Sequence, residues 1–224
     1  MGVQLPRWVW IGAGALACVA GMVNAVGFLG FEHQAVTHLT GTTTLLGAAL
    51  ASADMRAATS LAGVALAFMA GAALSGAIVQ DATLRLGRRY GVALALESVL
   101  LFASAYLFPR EAVSSAWLAA MACGLQNGMA TTFSGAIVRT THLSGMFTDL
   151  GIGLGHALRG LPLQRRRLAL CALIISAFLV GGVAGAFAFM RLGTDALLIP
   201  AALTGAVGVG YALYRHRAIR ATQA

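Results

Sequence analysis

The sequence predicts an all-α polytopic membrane protein, a transmembrane helical bundle. It has about six full spans plus two broken or re-entrant helices, arranged in two inverted repeats. Three observations lead there. First, 59% of the 224 residues are apolar and 10% are charged, against roughly 45–50% and 25% in soluble domains. Mean hydropathy is +0.83, and a soluble enzyme of this length needs more polar surface. Second, apolar stretches of membrane-spanning length recur along the chain. Third, the sequence repeats itself.

A bilayer core of about 30 Å takes roughly 20 mostly apolar helical residues. Stretches at about 8–29, 59–80, 90–108, 114–131, 168–190 and 196–214 qualify. Each is helical because lipid offers the backbone no hydrogen-bond partner. The first begins after Arg7 and imitates a signal peptide, but the spans behind it mark it as a retained helix. Pro109, Pro162 and Pro200 fall at or near span ends, where a missing donor is tolerated. Residues 36–53 hold His38 and five Thr; residues 138–157 hold Arg139, His142, Asp149 and His156. Either each is a poor span, or each enters and leaves on one side.

The basic residues are fifteen Arg and no Lys, which excludes Schiff-base chemistry and a Lys proton carrier. No aromatic-interleaved basic groove suggests nucleic acid, so the Arg excess marks cytoplasmic loops. With six spans, two re-entrant segments and a cytoplasmic N-terminus, twelve Arg lie inside and only Arg56, Arg110 and Arg191 outside. With eight spans the split is ten to five. The first arrangement fits better and puts both termini in the cytoplasm of a bacterial inner membrane. Cys18, Cys123 and Cys171 lie in apolar stretches without a CxxC and read as small buried hydrophobes.

The chain reads as one membrane domain over 1–224, with repeats at about 8–108 and 114–214. Gly21-Met-Val-Asn24 is matched by Gly124-Leu-Gln-Asn127. Thr37-His38-Leu39-Thr40-Gly41 is matched by Thr141-His142-Leu143-Ser144-Gly145 at an offset of 104, continuing to Thr44/Thr148 and Gly47/Gly151. Phe68, Gly71 and Ser75 match Phe178, Gly181 and Gly185. Three full spans per repeat is an odd number, so non-crossing broken segments invert the second repeat, a plan common among transporters.

These motifs, Gly21 to Phe28, His38 to Thr42, Gly124 to Asn127 and Arg139 to Gly145, resemble the YoaK family, also called the DUF1275 family. The resemblance covers nearly the whole chain. In that family the second core usually reads Arg-Thr-Thr-x-x-Thr-Gly; Ser144 here keeps the hydroxyl. The resemblance implies a bacterial multi-pass membrane protein and carries no catalytic residues.

An ionisable group near mid-bilayer costs a few kcal/mol, about 2.5–3.5 on insertion scales, so each needs a reason. A half-helix starting near Gly41 or Gly145, its amides capped by Thr or Ser, aims a positive dipole end at an anion. The same residues also satisfy a broken backbone. The candidate substrate site is Asn24, His38, Thr40, Gly41, Thr42, Gln126, Asn127, His142, Ser144 and Gly145. Glu97 lies within a span and, with Asp149, is the candidate proton-coupling group; a structural partner for a buried Arg or His is its other reading. His142, Asp149 and His156 are seven apart and form one polar helix face, too spread along the axis for a shared metal.

The function expected is a permease for a small polar or anionic solute, without a cofactor. A non-transporting sensor, lipid-binding protein or assembly partner is the alternative. An intramembrane hydrolase using Ser134 or Ser144 with His142 is disfavoured, because neither serine lies in a nucleophile motif and Thr40 replaces Ser144 in the first repeat. The ladder Gly63, Ala67, Gly71 and Ser75, with Gly181 and Gly185, permits close helix packing within the chain or in a homodimer.

Overall fold

A computed structural model describes residues 7–30, 36–79, 88–133 and 139–221. These residues form eight α-helices: α1 (Arg7–Gly30), α2 (Leu39–Ala51), α3 (Met55–Ile78), α4 (Arg88–Leu107), α5 (Ala112–Phe133), α6 (Leu143–Leu158), α7 (Arg165–Leu192) and α8 (Leu198–Ala221). A short 3-10 turn, Gly193–Leu197, separates the last two. No strand occurs among the described residues.

Four stretches are long and apolar enough to cross a membrane: Arg7–Gly30, Met55–Ile78, Tyr90–Leu107 and Arg165–Tyr211. The last contains both α7 and α8. The 22-residue α5 is not among them. It carries Ser114, Ser115, Gln126 and Asn127, and it packs against α1, α3 and α4, which give its polar groups protein neighbours. Pro109 follows α4, Pro162 lies between α6 and α7, and Pro200 sits in the first turn of α8, where its missing donor breaks no helical bond. The two awkward segments become the shortest helices, 13 and 16 residues. At about 1.5 Å per residue they are roughly 20 and 24 Å long, short of a bilayer core.

Backbone-to-backbone contact at glycine governs the packing. On α1 and α7, a Cβ at Gly21 would overlap the Phe178 carbonyl, one at Gly181 the Cys18 carbonyl, and one at Gly185 would press on Met22. The α3–α5 pair repeats this. A Cβ at Gly71 would overlap the Met121 carbonyl and one at Gly124 the Phe68 carbonyl. Corresponding residues differ by 103 (Gly21/Gly124, Cys18/Met121) or 110 (Phe68/Phe178, Gly71/Gly181). The small-residue ladders read from the sequence thus pack within the chain. Gly63 lies under the Trp117 ring, whose Nε1 donates to the Ser60 carbonyl at 3.1 Å.

The contacts also give helix directions. Gly14 meets Leu173 and Met22 meets Gly185, so α1 and α7 run parallel. Ser60 meets Trp117 and Ser75 meets Gly128, so α3 and α5 run parallel. α4 is antiparallel to α8, through Gly91 with Tyr211 and Ser98 with Gly205. It is also antiparallel to α5, through Ser104 with Ser115 and Glu97 with Gln126. Gly30, Phe108 and Phe189 meet at one end, the two rings 6.5 Å apart. Hence α1, α4 and α7 point one way and α3, α5 and α8 the other.

The short helices sit on the flanks. Three residues, Ser52 to Asp54, join α2 to α3, on which it packs; Asp54 caps α3 by accepting from the Ala57 amide at 3.0 Å. α6 packs antiparallel on α7, with Gly153 against Leu168 and Asp149 against Arg167. Each begins beside the interior of the preceding long helix. Thr37 bonds to Asn24, six residues before the end of α1. Thr140 bonds to Gln126, seven residues before the end of α5. These depths are about 9 and 10 Å.

Gly71→Val or Gly181→Val forces two backbones apart and is expected to destabilise the protein by about 3 kcal/mol or more. Gly151→Ala meets nothing within 4 Å and should leave stability within about 1 kcal/mol. Thermal unfolding in detergent, followed by circular dichroism, checks this; equal effects at the three positions would contradict the packing.

Candidate functional site

Glu97, in the middle of α4, is a buried carboxyl. Glu97, Gln126 and Thr140 are 2%, 1% and 0% exposed. The Gln126 Nε2 donates to Glu97 Oε1 at 2.9 Å, and Thr140 Oγ1 donates to Gln126 Oε1 at 3.3 Å. Gln126 therefore ties α4 to the segment that starts α6. The partner of the buried carboxyl is an amide, and not the Arg or His considered from sequence. Glu97 Oε2 is buried and has no hydrogen-bond partner; the same holds for Asn127 Oδ1 and Ser75 Oγ. An unsatisfied buried acceptor is costly, about 1–3 kcal/mol when neutral and more when charged, so each of these atoms favours a hydrogen-bonding neighbour such as an ordered water, and the carboxyl favours a proton. Serine hydroxyls clamp the two flanks of α4: Ser98 donates to the Ala201 carbonyl at 2.8 Å, and Ser104 pairs with Ser115 at 3.0 Å.

In the first half, Asn24 Oδ1 accepts from the Thr37 hydroxyl at 2.7 Å and from its amide at 3.2 Å. Asn24 thus closes the turn into α2. The positions that correspond to Gln126 and Thr140 are Val23 and Val36, 1% and 0% exposed. One half joins its short helix through a buried polar chain, the other through an apolar contact one residue away from an amide–hydroxyl bond.

His38 and His142 are the N-caps of α2 and α6, with similar dihedrals (φ −102°, ψ 66° and φ −91°, ψ 57°). Neither side chain caps its helix. The helices start at Leu39 and Leu143, so Gly41 and Gly145 lie inside the first turn. The expectation of hydroxyl capping by Thr40, Thr42 or Ser144 is corrected. Thr42 Oγ1 donates to the His38 carbonyl at 3.2 Å, and the Thr40 and Ser144 carbonyls accept from Thr44 and Thr148 at 2.9 and 3.0 Å. These threonine hydroxyls find acceptors one turn back on their own helices, as intrahelical threonines do. The His142 ring lies over Gly145, where a Cβ would overlap it. No group of three His, Cys, Asp or Glu able to hold a metal occurs among the described residues.

A family model described as "Protein of unknown function (DUF1275)" matches residues 12–210. The chain belongs to the DUF1275 family. No curated protein and no solved structure matches it.

The DUF1275 match runs from α1 into α8 and includes both short helices and the Glu97 cluster. Within it, Asp149 is held away from that cluster. Arg167 grips it with Nε at 3.1 Å and Nη2 at 2.9 Å, and the Cys171 thiol approaches at 3.8 Å. The polar face expected from His142, Asp149 and His156 is divided: the acid turns to α7 and both histidines are exposed. Among the described candidates, Glu97 and Gln126 are joined side chain to side chain; Thr42 reaches only the His38 backbone, and the His142 ring only covers Gly145. Asn24 and Asp149 bond to Thr37 and Arg167, which were not among them; nor was Thr140. The adjacent Thr140-Thr141 pair in the second core was a usable signal, since Thr141 matches Thr37. Ser134 lies outside the described residues.

Gln126→Leu leaves the Glu97 carboxyl without its donor and should cost about 1–3 kcal/mol. The triple variant Glu97→Leu, Gln126→Leu, Thr140→Val copies the apolar first half and should return to within about 1 kcal/mol of the parent, as isosteric apolar replacement of a buried polar set does. Unfolding in detergent compares them. A triple variant weaker than Gln126→Leu would mean that the polar chain serves stability.

Proposed function

We propose that this DUF1275 protein is an inner-membrane transporter for a small polar or anionic solute, with both termini cytoplasmic. In this reading α1, α3, α4, α5, α7 and α8 span the bilayer, α2 and α6 are re-entrant, and the two halves are inverted copies. The observation that carries it is the placement of the short helices. Each begins beside Asn24 or Gln126, about 9–10 Å along α1 or α5 from that helix's end, and returns along the next long helix toward the end it came from. The opposite directions of α1 and α5, of α3 and α7, and of α4 and α8 support inversion. The twelve-to-three arginine split supports the orientation.

Discontinuous helices are how transporters bring helix ends to the bilayer midplane. The N-termini of α2 and α6 present free amides and a positive dipole end, which favour a negative or hydrogen-bond-accepting solute. Asn24 and Asn127 supply amides nearby, while Gln126 holds Glu97 and Thr140. Glu97, the one acid within α4, is the group that takes up and releases a proton with each cycle. One buried amide donor is too little to stabilise a permanent charge.

Two experiments test this. Single cysteines from Ser52→Cys and Leu161→Cys, in a chain lacking Cys18, Cys123 and Cys171, should label from the periplasmic and the cytoplasmic side respectively. Labelling of both from one side would replace inversion by eight crossing helices. In proteoliposomes, light-scattering flux driven by formate, chloride, urea or glycerol gradients should exceed that of protein-free vesicles for at least one solute. A pH gradient should alter that flux, and Glu97→Gln should abolish the pH effect. No flux above background for any solute would leave a non-transporting membrane protein. Unchanged pH coupling in Glu97→Gln would remove Glu97 from the mechanism.

A further inference from the structure

The two halves treat their short helices differently. Beside α6, a buried chain of hydrogen bonds runs from Glu97 Oε1 through the Gln126 side chain to the Thr140 hydroxyl, three residues before α6 begins. Beside α2, the corresponding side chains, Val23 and Val36, are apolar. We propose that Gln126 and Thr140 are positioning residues that carry the protonation state of Glu97 to the start of α6, so that a proton controls the α6 side of the bundle and leaves the α2 side alone. The proposal rests on the reading of Glu97 as the proton-bearing group.

The geometry gives the link a direction. Gln126 can present only its NH2 to Glu97 as donor, and this orientation leaves its oxygen to accept from Thr140. With Glu97 ionised, the first bond is charge-assisted and roughly twice as strong as a neutral one. A proton delivered by hydronium binds the unpartnered Oε2: one O–H bond of hydronium breaks, one forms on the carboxyl, water leaves, and the Gln126 bond to Oε1 becomes neutral. The amide is then held less firmly, and so is Thr140. Few other groups enter. The other titratable groups near this level are Tyr90, seven residues before Glu97 on α4, and Cys123, three residues before Gln126 on α5, and Tyr211 of α8 meets Tyr90 edge-on at 5.8 Å. Asp195, in the 3-10 turn packed on α4, is exposed, and so is Arg56, the one charged residue of α3. Arg139 and His142 flank Thr140 and are also exposed.

The test uses the full chain in liposomes, in a background lacking Cys18, Cys123 and Cys171. Ser144→Cys, in the first turn of α6, and Thr40→Cys, in the first turn of α2, are each labelled with a maleimide across a pH series. The ratio of the two rates cancels the thiol chemistry. Infrared spectra of the same samples follow the protonated carboxyl band, assigned by its loss in Glu97→Gln. The ratio should rise as the band appears, by about tenfold, the change expected when a charge-assisted bond becomes neutral. Glu97→Gln, Gln126→Leu and Thr140→Val should each make the ratio independent of pH. Thr140→Ser, which keeps the hydroxyl, should restore the dependence, and His142→Gln should leave it intact. A carboxyl band that titrates while the ratio stays flat would overturn the link and leave the proton site standing. A band that never changes would overturn both.

Discussion

In a bilayer the hydrophobic effect does not draw helices together, because lipid tails are as apolar as the side chains they replace. Close contact must do that work, and here it occurs at backbone carbonyls. Gly21 and Gly181 let α1 and α7 touch, while Gly71 and Gly124 let α3 and α5 touch. Each contact places one half's helix on a helix of the other half, so the halves interlock and do not merely abut. The crossed pairs leave α4 facing both α5 and α8, and that position makes α4 the place where a polar side chain can be enclosed by protein on several sides.

Enclosure is what makes Glu97 tolerable. The serines at 98 and 104 fasten α4 to its neighbours and hold the carboxyl toward the protein interior. Gln126 then spends both ends of its amide, one on the carboxyl and one on Thr140. The cluster is under-satisfied by design of the helix packing: Glu97 Oε2 and Asn127 Oδ1 are buried without partners. By contrast, the pair of Asp149 and Arg167 has side chains 26% and 60% exposed and contributes at most about 1 kcal/mol.

Much of this was legible in the sequence. The six long stretches lie largely within α1, α3, α4, α5, α7 and α8, because spanning length and apolarity leave little else to choose. The glycine contacts were visible as paired small-residue motifs, since glycine at a helix crossing has few substitutes. The site was legible only in part. That Glu97 meets Gln126 could not be read, because no acid in the second repeat offered a counterpart to align. Capping misled for a local reason: threonine hydroxyls inside a first turn reach the carbonyl four residues back more easily than the open amides. Thr140 had no counterpart signal, since the motif match aligns Thr141 with Thr37 while the longer Gln126 side chain reaches one residue earlier.

The glycine contacts also impose an order on biosynthesis. Gly71 and Met121 are 50 residues apart, whereas Gly21 and Phe178 are 157 apart. At about 5–20 residues per second of translation, the α3–α5 pair becomes available well before α1 receives its partner, which emerges roughly 8–30 s after Gly21. Two contacts with the same geometry thus close at different times. Through most of synthesis Gly21 of α1 lacks the α7 carbonyl on which it packs, and whatever neighbours it meanwhile must be displaced before the bundle is complete.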